Sequence, residues 1–251
     1  QPTVLTSSTA KVQDVYCSGG TNGKAYVMAS GGTSPYSYTW SNGTTTDTNS
    51  TLSVGLAYVT VTDNNGCSTI DSILIDEPLP LAGNISIDNQ VSCYGLGDGV
   101  ATANGTGGTT PYSYSWSNGE LTQQADSLFV GSNSVTVTDS LGCTISLNTT
   151  ITQPDSLIIT VDSIQDVQCY GIFDGKVFTS VSGGTVTYTY NWSNSDTSSN
   201  IENLAPGSYS VTVTDNNGCQ DTASASIVQP DSISNTFNSD SVLCFEGSDG
   251  S

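Results

Sequence analysis

The chain has 251 residues, with three lysines, no arginine and no histidine against 23 carboxylates, for a net charge of -20. So few cations exclude a phosphate backbone as partner, so no nucleic acid is expected, and they disfavour anionic membrane surfaces. No stretch is apolar enough for long enough to span a bilayer, so no membrane insertion is expected. The hydrophobic fraction of 35% is low, but regularly spaced aromatic and β-branched residues argue against disorder.

Pro2, Pro78, Pro154 and Pro230 are spaced 76 residues apart, each after Gln or Glu. Such self-similarity overrides the domain count that length alone would give. The chain is read as residues 1–2 ending one repeat, three full repeats over 3–78, 79–154 and 155–230, and residues 231–251 beginning a fourth. It is expected to be a mature fragment or a window on a longer array, since no initiating Met or signal peptide opens it.

Within a repeat, seven strands are expected, clearest in the third copy. Leu157 to Val161 and Val167 to Gln168 make a split first strand, and Cys169 to Gly175 a tight loop. Val177, Thr179 and Val181 then face inward, matched by Ala101 and Ala103 and by Ala25 and Val27 in the other copies. An aromatic strand follows, ending at Trp40, Trp116 or Trp192. Tyr36, Tyr38 and Trp40 alternate with small polar residues, the period of a strand with one buried face, so the three tryptophans are assigned to the core. Gly-Gly and Pro precede this strand and Asn-Gly follows it. A polar stretch with weak strand signals leads to a turn, Leu204 to Gly207 in the third copy. Tyr209, Val211 and Val213 then alternate with Ser and Thr. Asp215 to Gly218 closes a hairpin, with Asn-Gly supplying the positive φ, and the last strand runs from Cys219 to Val228.

Short alternating strands joined by turn clusters make an all-β protein, an immunoglobulin-like (PKD-like) β-sandwich repeated in tandem as an elongated rod. A tyrosine corner is expected only at Tyr209, since Ala57 and Asn133 take its place in the other copies.

The motifs Cys-x-Gly-x-x-Asp-Gly, Gly-Gly-Thr-x-Pro-Tyr-x-Tyr-x-Trp-Ser-Asn-Gly, Leu-x-x-Gly-x-Tyr-x-Val-Thr-Val-Thr-Asp-x-x-Gly-Cys and terminal Gln-Pro together resemble the SprB-type repeat. That family occurs in large surface proteins of Bacteroidota, including a gliding-motility adhesin. The resemblance covers essentially the whole chain. It implies type IX secretion and display as a stalk or filament at the cell surface. Asn22 departs from the loop Asp98, Asp174 and Asp249, and Thr187 from Pro35 and Pro111.

Seven cysteines recur, two per full repeat and 50 residues apart. Without His or Cys-x-x-Cys, zinc is disfavoured and disulfides are the default for an exported protein. Two pairings are open. Within repeats they are Cys17–Cys67, Cys93–Cys143 and Cys169–Cys219. Between repeats they are Cys17–Cys143 and Cys93–Cys219, with Cys67 left for a preceding repeat and Cys169 and Cys244 for following ones. Strand geometry favours the second. The two cysteines of one repeat fall at opposite ends of a sandwich roughly 26 Å long, and a disulfide reaches about 7 Å between Cα atoms.

Other chemistry is sparse. Asp63, Asp139 and Asp215 offer oxygens to Ca²⁺ but fall short of a full ligand set, and the turn reading is preferred; no cofactor is assigned. No nucleophile elbow or recurrent acid–base pair is present, so no enzyme is expected. Tyr94, Tyr170 and Phe245 are assigned to packing at the junctions. Asp-Ser/Thr-apolar triplets resemble the O-glycosylation signal of Bacteroidota proteins, with candidates Ser72, Ser127, Ser140, Ser156, Ser163, Thr222, Ser232 and Ser241. The expected function is a structural array of an exported surface adhesin, with neighbouring repeats, self-association and surface polysaccharide as partner classes. The alternatives are an array of carbohydrate- or calcium-binding modules and the non-catalytic stalk of a secreted enzyme.

Overall fold

The structure is a computed structural model that describes residues 3–236. The described residues hold strands and no helix, and none of them forms a segment of helix able to cross a membrane. The chain divides into two compact units, Gln1–Pro154 and Asp155–Ser251.

The first unit contains two copies of one sandwich. The first copy comprises β1 (Thr6–Gln13), β2 (Gly23–Ser30), β3 (Ser37–Trp40), β4 (Thr48–Leu52), β5 (Gly55–Thr62) and β6 (Ser68–Ile75). Its sheets have the order β1-β2-β4 and β3-β5-β6, and every pairing is antiparallel. The second copy repeats this with β7 (Ala82–Asn89), β8 (Gly99–Thr106), β9 (Ser113–Trp116), β10 (Gln124–Leu128), β11 (Gly131–Thr138) and β12 (Thr144–Ile151). The second unit holds a third copy: β13 (Ile158–Gln165), β14 (Gly175–Ser182), β15 (Thr189–Trp192), β16 (Ile201–Leu204), β17 (Gly207–Thr214) and β18 (Gln220–Ile227). Crossing between two antiparallel sheets in this order is the immunoglobulin-like arrangement.

Each described copy has six strands rather than seven; β13 ends at Gln165, and Val167, beyond it, donates its N–H to Val228 O just past the last strand. Within the strand the register shifts between Lys11 and Gln13 in the first copy and between Val161 and Ser163 in the third. Such a bulge turns the strand without ending its pairing. No strand forms over residues 41–47, because they lack apolar alternation. There Trp40 N–H donates to Thr44 O and Gly43 N–H to Trp40 O, making a turn.

The alternation of β5 explains its placement. Ala57, Val59 and Val61 are buried, while Leu56 and Tyr58 face solvent. Trp40, Trp116 and Trp192 are each buried in a separate core cluster. Each indole N–H donates to a backbone carbonyl, of Thr46, Thr122 and Ser198, at 2.9, 3.0 and 2.9 Å. A buried indole keeps its large apolar contribution only when that N–H is satisfied. Tyr36, Tyr112 and Tyr188, at the start of the aromatic strands, are partly buried and donate through their hydroxyls to Gly31, Gly107 and Gly183 O, each at 2.6 Å.

The Gly-Gly pair before each aromatic strand seats the incoming chain. Gly108 N–H donates to Leu79 O at 2.8 Å, and Gly107 has φ +68°. A Cβ on Gly107 would lie 2.0 Å from Pro80 O. Only glycine permits both the left-handed backbone and this approach.

Candidate functional site

The chemistry of the chain concentrates at the cysteine-bearing ends of the sandwiches. The first type of cysteine, Cys17, Cys93 or Cys169, sits in a loop between the first two strands. The residue before it donates its N–H to the loop's Asn or Asp: Tyr16 to Asn22, Ser92 to Asp98 and Gln168 to Asp174, at 3.0, 3.0 and 3.1 Å. Asn22 therefore does in the first copy what aspartate does in the others. The Asp98 carboxyl is held below its usual range, first by the Ser92 hydroxyl and then by the Ser92 amide.

The seam residue before proline also grips this loop. Glu77 accepts the N–H of Gly19 at 2.7 Å and the Ser18 hydroxyl at 3.1 Å. Gln153 accepts from Gly95 at 3.0 Å, and Gln229 from Gly171 at 3.3 Å. Behind the loop the last strand is locked in both directions. Val15 N–H donates to Asp76 O, and Asp76 N–H donates to the Asp14 carboxylate at 2.8 Å. Gln90 with Thr152 and Asp166 with Val228 repeat the lock.

The second type of cysteine, Cys67, Cys143 or Cys219, is presented by an aspartate. Asp63 accepts N–H groups of Asn65 and Cys67 on one oxygen, each at 2.9 Å, and of Thr33 on the other at 3.0 Å. Asp139 does the same with Leu141, Cys143 and Thr109, and Asp215 with Asn217, Cys219 and Thr185. All three carboxylates are buried. The amide of Thr33 foremost holds the Asp63 carboxyl below its usual range. For Asp139, burial pushes upward, but the amides of Thr109, Cys143, Leu141 and Gly142 outweigh it and the net shift is down. Amide donors take up these oxygens, so the cages stitch the last hairpin to the Gly-Gly-Thr turn and offer little to Ca²⁺.

In the first unit the two cysteine types meet. Cys17 and Cys143 form a disulfide with Cα atoms 5.7 Å apart, linking the first copy to the second. Cys143 Sγ also lies 3.4 Å from Tyr16 O. The within-repeat alternatives Cys17–Cys67 and Cys93–Cys143 are therefore ruled out, because Cys143 holds Cys17. Cys169–Cys219 fails as well, since Cys169 is free. The physical reason is placement: the first type lies between the first two strands, where the chain leaves the sandwich, and the second type opens the last strand at the far end. Cys93 and Cys219 are also in disulfide form. Among the described residues Cys67 and Cys169 are free and exposed, and Cys244 lies outside the described residues.

One other expectation changes. Tyr209 donates its hydroxyl to Ala205 O at 2.9 Å, but Asn133 reaches the matching carbonyl, Phe129 O, also at 2.9 Å. Tyrosine and asparagine both supply a donor of suitable reach in these two copies, while Ala57 leaves the first copy without one. Tyr94 and Tyr170 are exposed, and Phe245 lies outside the described residues. Of the hydroxyls in Asp-Ser/Thr triplets, Ser72, Ser127, Ser140, Ser156, Ser163, Thr222 and Ser232 are exposed, and Ser241 lies outside the described residues.

Three segments, residues 9–45, 86–121 and 161–197, match the SprB repeat family. The chain carries SprB repeats. Each SprB match spans the first three strands of a sandwich with the cysteine loop and the Trp strand. No curated protein matches the chain. Among solved structures it is similar to the N-terminal eight Ig domains of Down Syndrome Cell Adhesion Molecule. That likeness has 13% identity and a TM-score of 0.34, over 90% of this chain and 36% of that one. The SprB chain thus spans about a third of that structure's length. It is also similar to a tetra-tandem repeat from the extending region of a large adhesion protein. There the identity is 14% and the TM-score 0.25, over 89% of this chain and 74% of that one.

Proposed function

We propose that these SprB repeats form the structural array of an exported cell-surface adhesin, a stalk or filament that projects an adhesive activity, as in gliding motility. The observation that carries this reading is the Cys17–Cys143 disulfide, which joins residues 126 apart in sequence and belongs to two successive sandwiches. A pulled chain with this bond does not extend the residues between its ends, whether or not the sandwiches unfold. Force passes from the Cys17 loop across the bridge into β12. The net charge of -20 keeps neighbouring arrays apart and soluble. The exposed Asp-Ser/Thr hydroxyls are accessible for O-glycosylation in an exported protein.

Single-molecule stretching tests the mechanical role. At about 3.4 Å per residue the bridge hides roughly 40 nm of contour length. The oxidised chain is expected to lack that length, and reductant to restore it. Equal contour lengths with and without reductant refute the load-bearing role. Labelling of unpermeabilised cells by an antibody against the repeats tests display separately.

A further inference from the structure

The outward face of the sheet β3-β5-β6 differs between the SprB repeats, while its inward face does not. Inward, Val59 and Val61 match Val135 and Val137, then Val211 and Val213, all buried. Outward, the first repeat carries Leu56, Tyr58, Ile70 and Leu74. The second has Ser132, Ser134, Ser146 and Thr150 in their place, and the third Ser208, Ser210, Thr222 and Ser226. Strand pairing keeps one register in all three, so the exchange is confined to side chains. The fold does not need these four apolar groups. An antiparallel sheet with one solvated face keeps that face polar, and a contiguous apolar patch marks a contact.

The four groups are contiguous. Leu56 lies directly across from Leu74, Tyr58 from Ser72 and Thr60 from Ile70. Tyr58 is diagonal to both Leu74 and Ile70, within the reach of an aromatic ring. In chain order the four are 52, 49, 68 and 52% exposed. The stripe runs along the side of the sandwich, away from its ends. In the second repeat Ser132, Ser146 and Thr150 stay exposed although the first repeat is bonded to its Cys143 end. A neighbouring repeat seated at that end leaves this face open.

Charge points to the occupant. Among the described residues, no Asp, Glu or Lys takes an outward position on β3, β5 or β6. Asp71 on β6 points the other way and accepts the Thr9 N–H at 2.6 Å. On a chain of net charge -20, a second copy meets least repulsion at a face without carboxylates. The same face on that copy is neutral and apolar in the same places.

We infer that this face of the first repeat pairs two copies of the chain, sheet against sheet about a two-fold axis. With strands about 4.8 Å apart and about 3.3 Å per residue, the three-stranded face measures roughly 14 by 26 Å. Two such faces bury roughly 700 Å², short of the about 1,200 Å² of a stable complex, so the pair is weak, with Kd on the order of 100 µM. Repulsion between the acidic chains opposes it and is screened by salt, so salt strengthens the pair. Charge that holds arrays apart elsewhere leaves this one lateral contact. The inference stands whether or not the array is displayed on a cell.

The test is sedimentation equilibrium of the full 251-residue chain, with free thiols capped by iodoacetamide and disulfides left intact. A monomer–dimer equilibrium is expected, its Kd falling about threefold or more between about 20 and 500 mM salt. Leu56→Ser, Tyr58→Ser, Ile70→Ser and Leu74→Thr together install what the second repeat carries at the same register. This variant should keep the parent's Tm and weaken the dimer by about tenfold or more. The reverse set, Ser132→Leu, Ser134→Tyr, Ser146→Ile and Thr150→Leu, should add a second pairing face and give species larger than dimers. A parent chain that stays monomeric up to about 1 mM overturns the inference. So does a folded quadruple variant that dimerises as the parent does, or a reverse set that stops at dimers. A monomeric parent that binds a soluble neutral polysaccharide, with binding lost in the quadruple variant, overturns it in favour of a sugar.

Discussion

Cys17→Ser removes the bridge between the first two SprB repeats and leaves every other contact of the loop in place. The bond closes a loop of 126 residues. In the chain-entropy relation this restricts the unfolded chain by about 5 kcal/mol when both sandwiches unfold together. When only the second unfolds, the loop runs from the seam at Pro78 to Cys143, roughly 65 residues, and the restriction is still about 4 kcal/mol. For a unit of this size each kcal/mol moves Tm by about 2–4 °C, so a fall of roughly 10–20 °C is expected. The assay is calorimetry of Cys17→Ser, Cys143→Ser and the double variant against the parent, each with and without reductant. The three variants should coincide, and the parent should fall to their Tm in reductant. Cys67→Ser, at an exposed free thiol, should stay within about 0.5 kcal/mol of the parent. A Cys17→Ser transition at the parent's Tm would refute the reasoning.

Other expectations follow from the same contacts. Trp116→Ala should cost about 3–5 kcal/mol in denaturant unfolding, by loss of a buried ring and the cavity it leaves. Trp116→Phe keeps most of the apolar volume but strands Thr122 O, at a cost of about 1–3 kcal/mol. Gly107→Ala, where the Cβ meets Pro80 O, should lower Tm more than Gly119→Ala, which has φ +94° and open space around it; equal shifts would contradict the seating role of the Gly-Gly pair. Asp63 and Asp139 have carboxyls depressed below the ordinary 3.8. The folded state binds fewer protons, so their stabilisation is present above that value and is lost as pH falls through the lower folded one. Thermal melts should be insensitive to these groups from neutral pH down to about 4 and decline below it. Asp139→Asn should be less stable than the parent at neutral pH and approach it in strong acid.

The periodic features were legible because they are local. Tyr36, Tyr38 and Trp40 announce a strand with one inward face through spacing alone, and Asn-Gly announces its hairpin. The absence of a strand over residues 41–47 was visible in principle, since the stretch has no apolar alternation. The roles of single polar residues were much less legible. Asp63 reads as a turn residue or a weak cation ligand until Thr33, 30 residues away, is seen donating to it. The Gln and Glu before each seam proline read as punctuation until Gly95 and Gly171 are found bonded to Gln153 and Gln229, 58 residues away. Asn133 hid its place in the corner because a residue's reach, unlike its hydropathy, depends on the backbone that carries it.

By itself the sequence determined the period, the sandwich and the buried tryptophan, because strand alternation and turn chemistry act between neighbours along the chain. Only the tertiary structure decided which cysteines meet. Cys17 and Cys67 belong to one sandwich yet stay apart, while Cys143, in the next one, comes within 5.7 Å of Cys17 between Cα atoms. A disulfide needs that proximity in space, and it arises from how one folded repeat seats on the next.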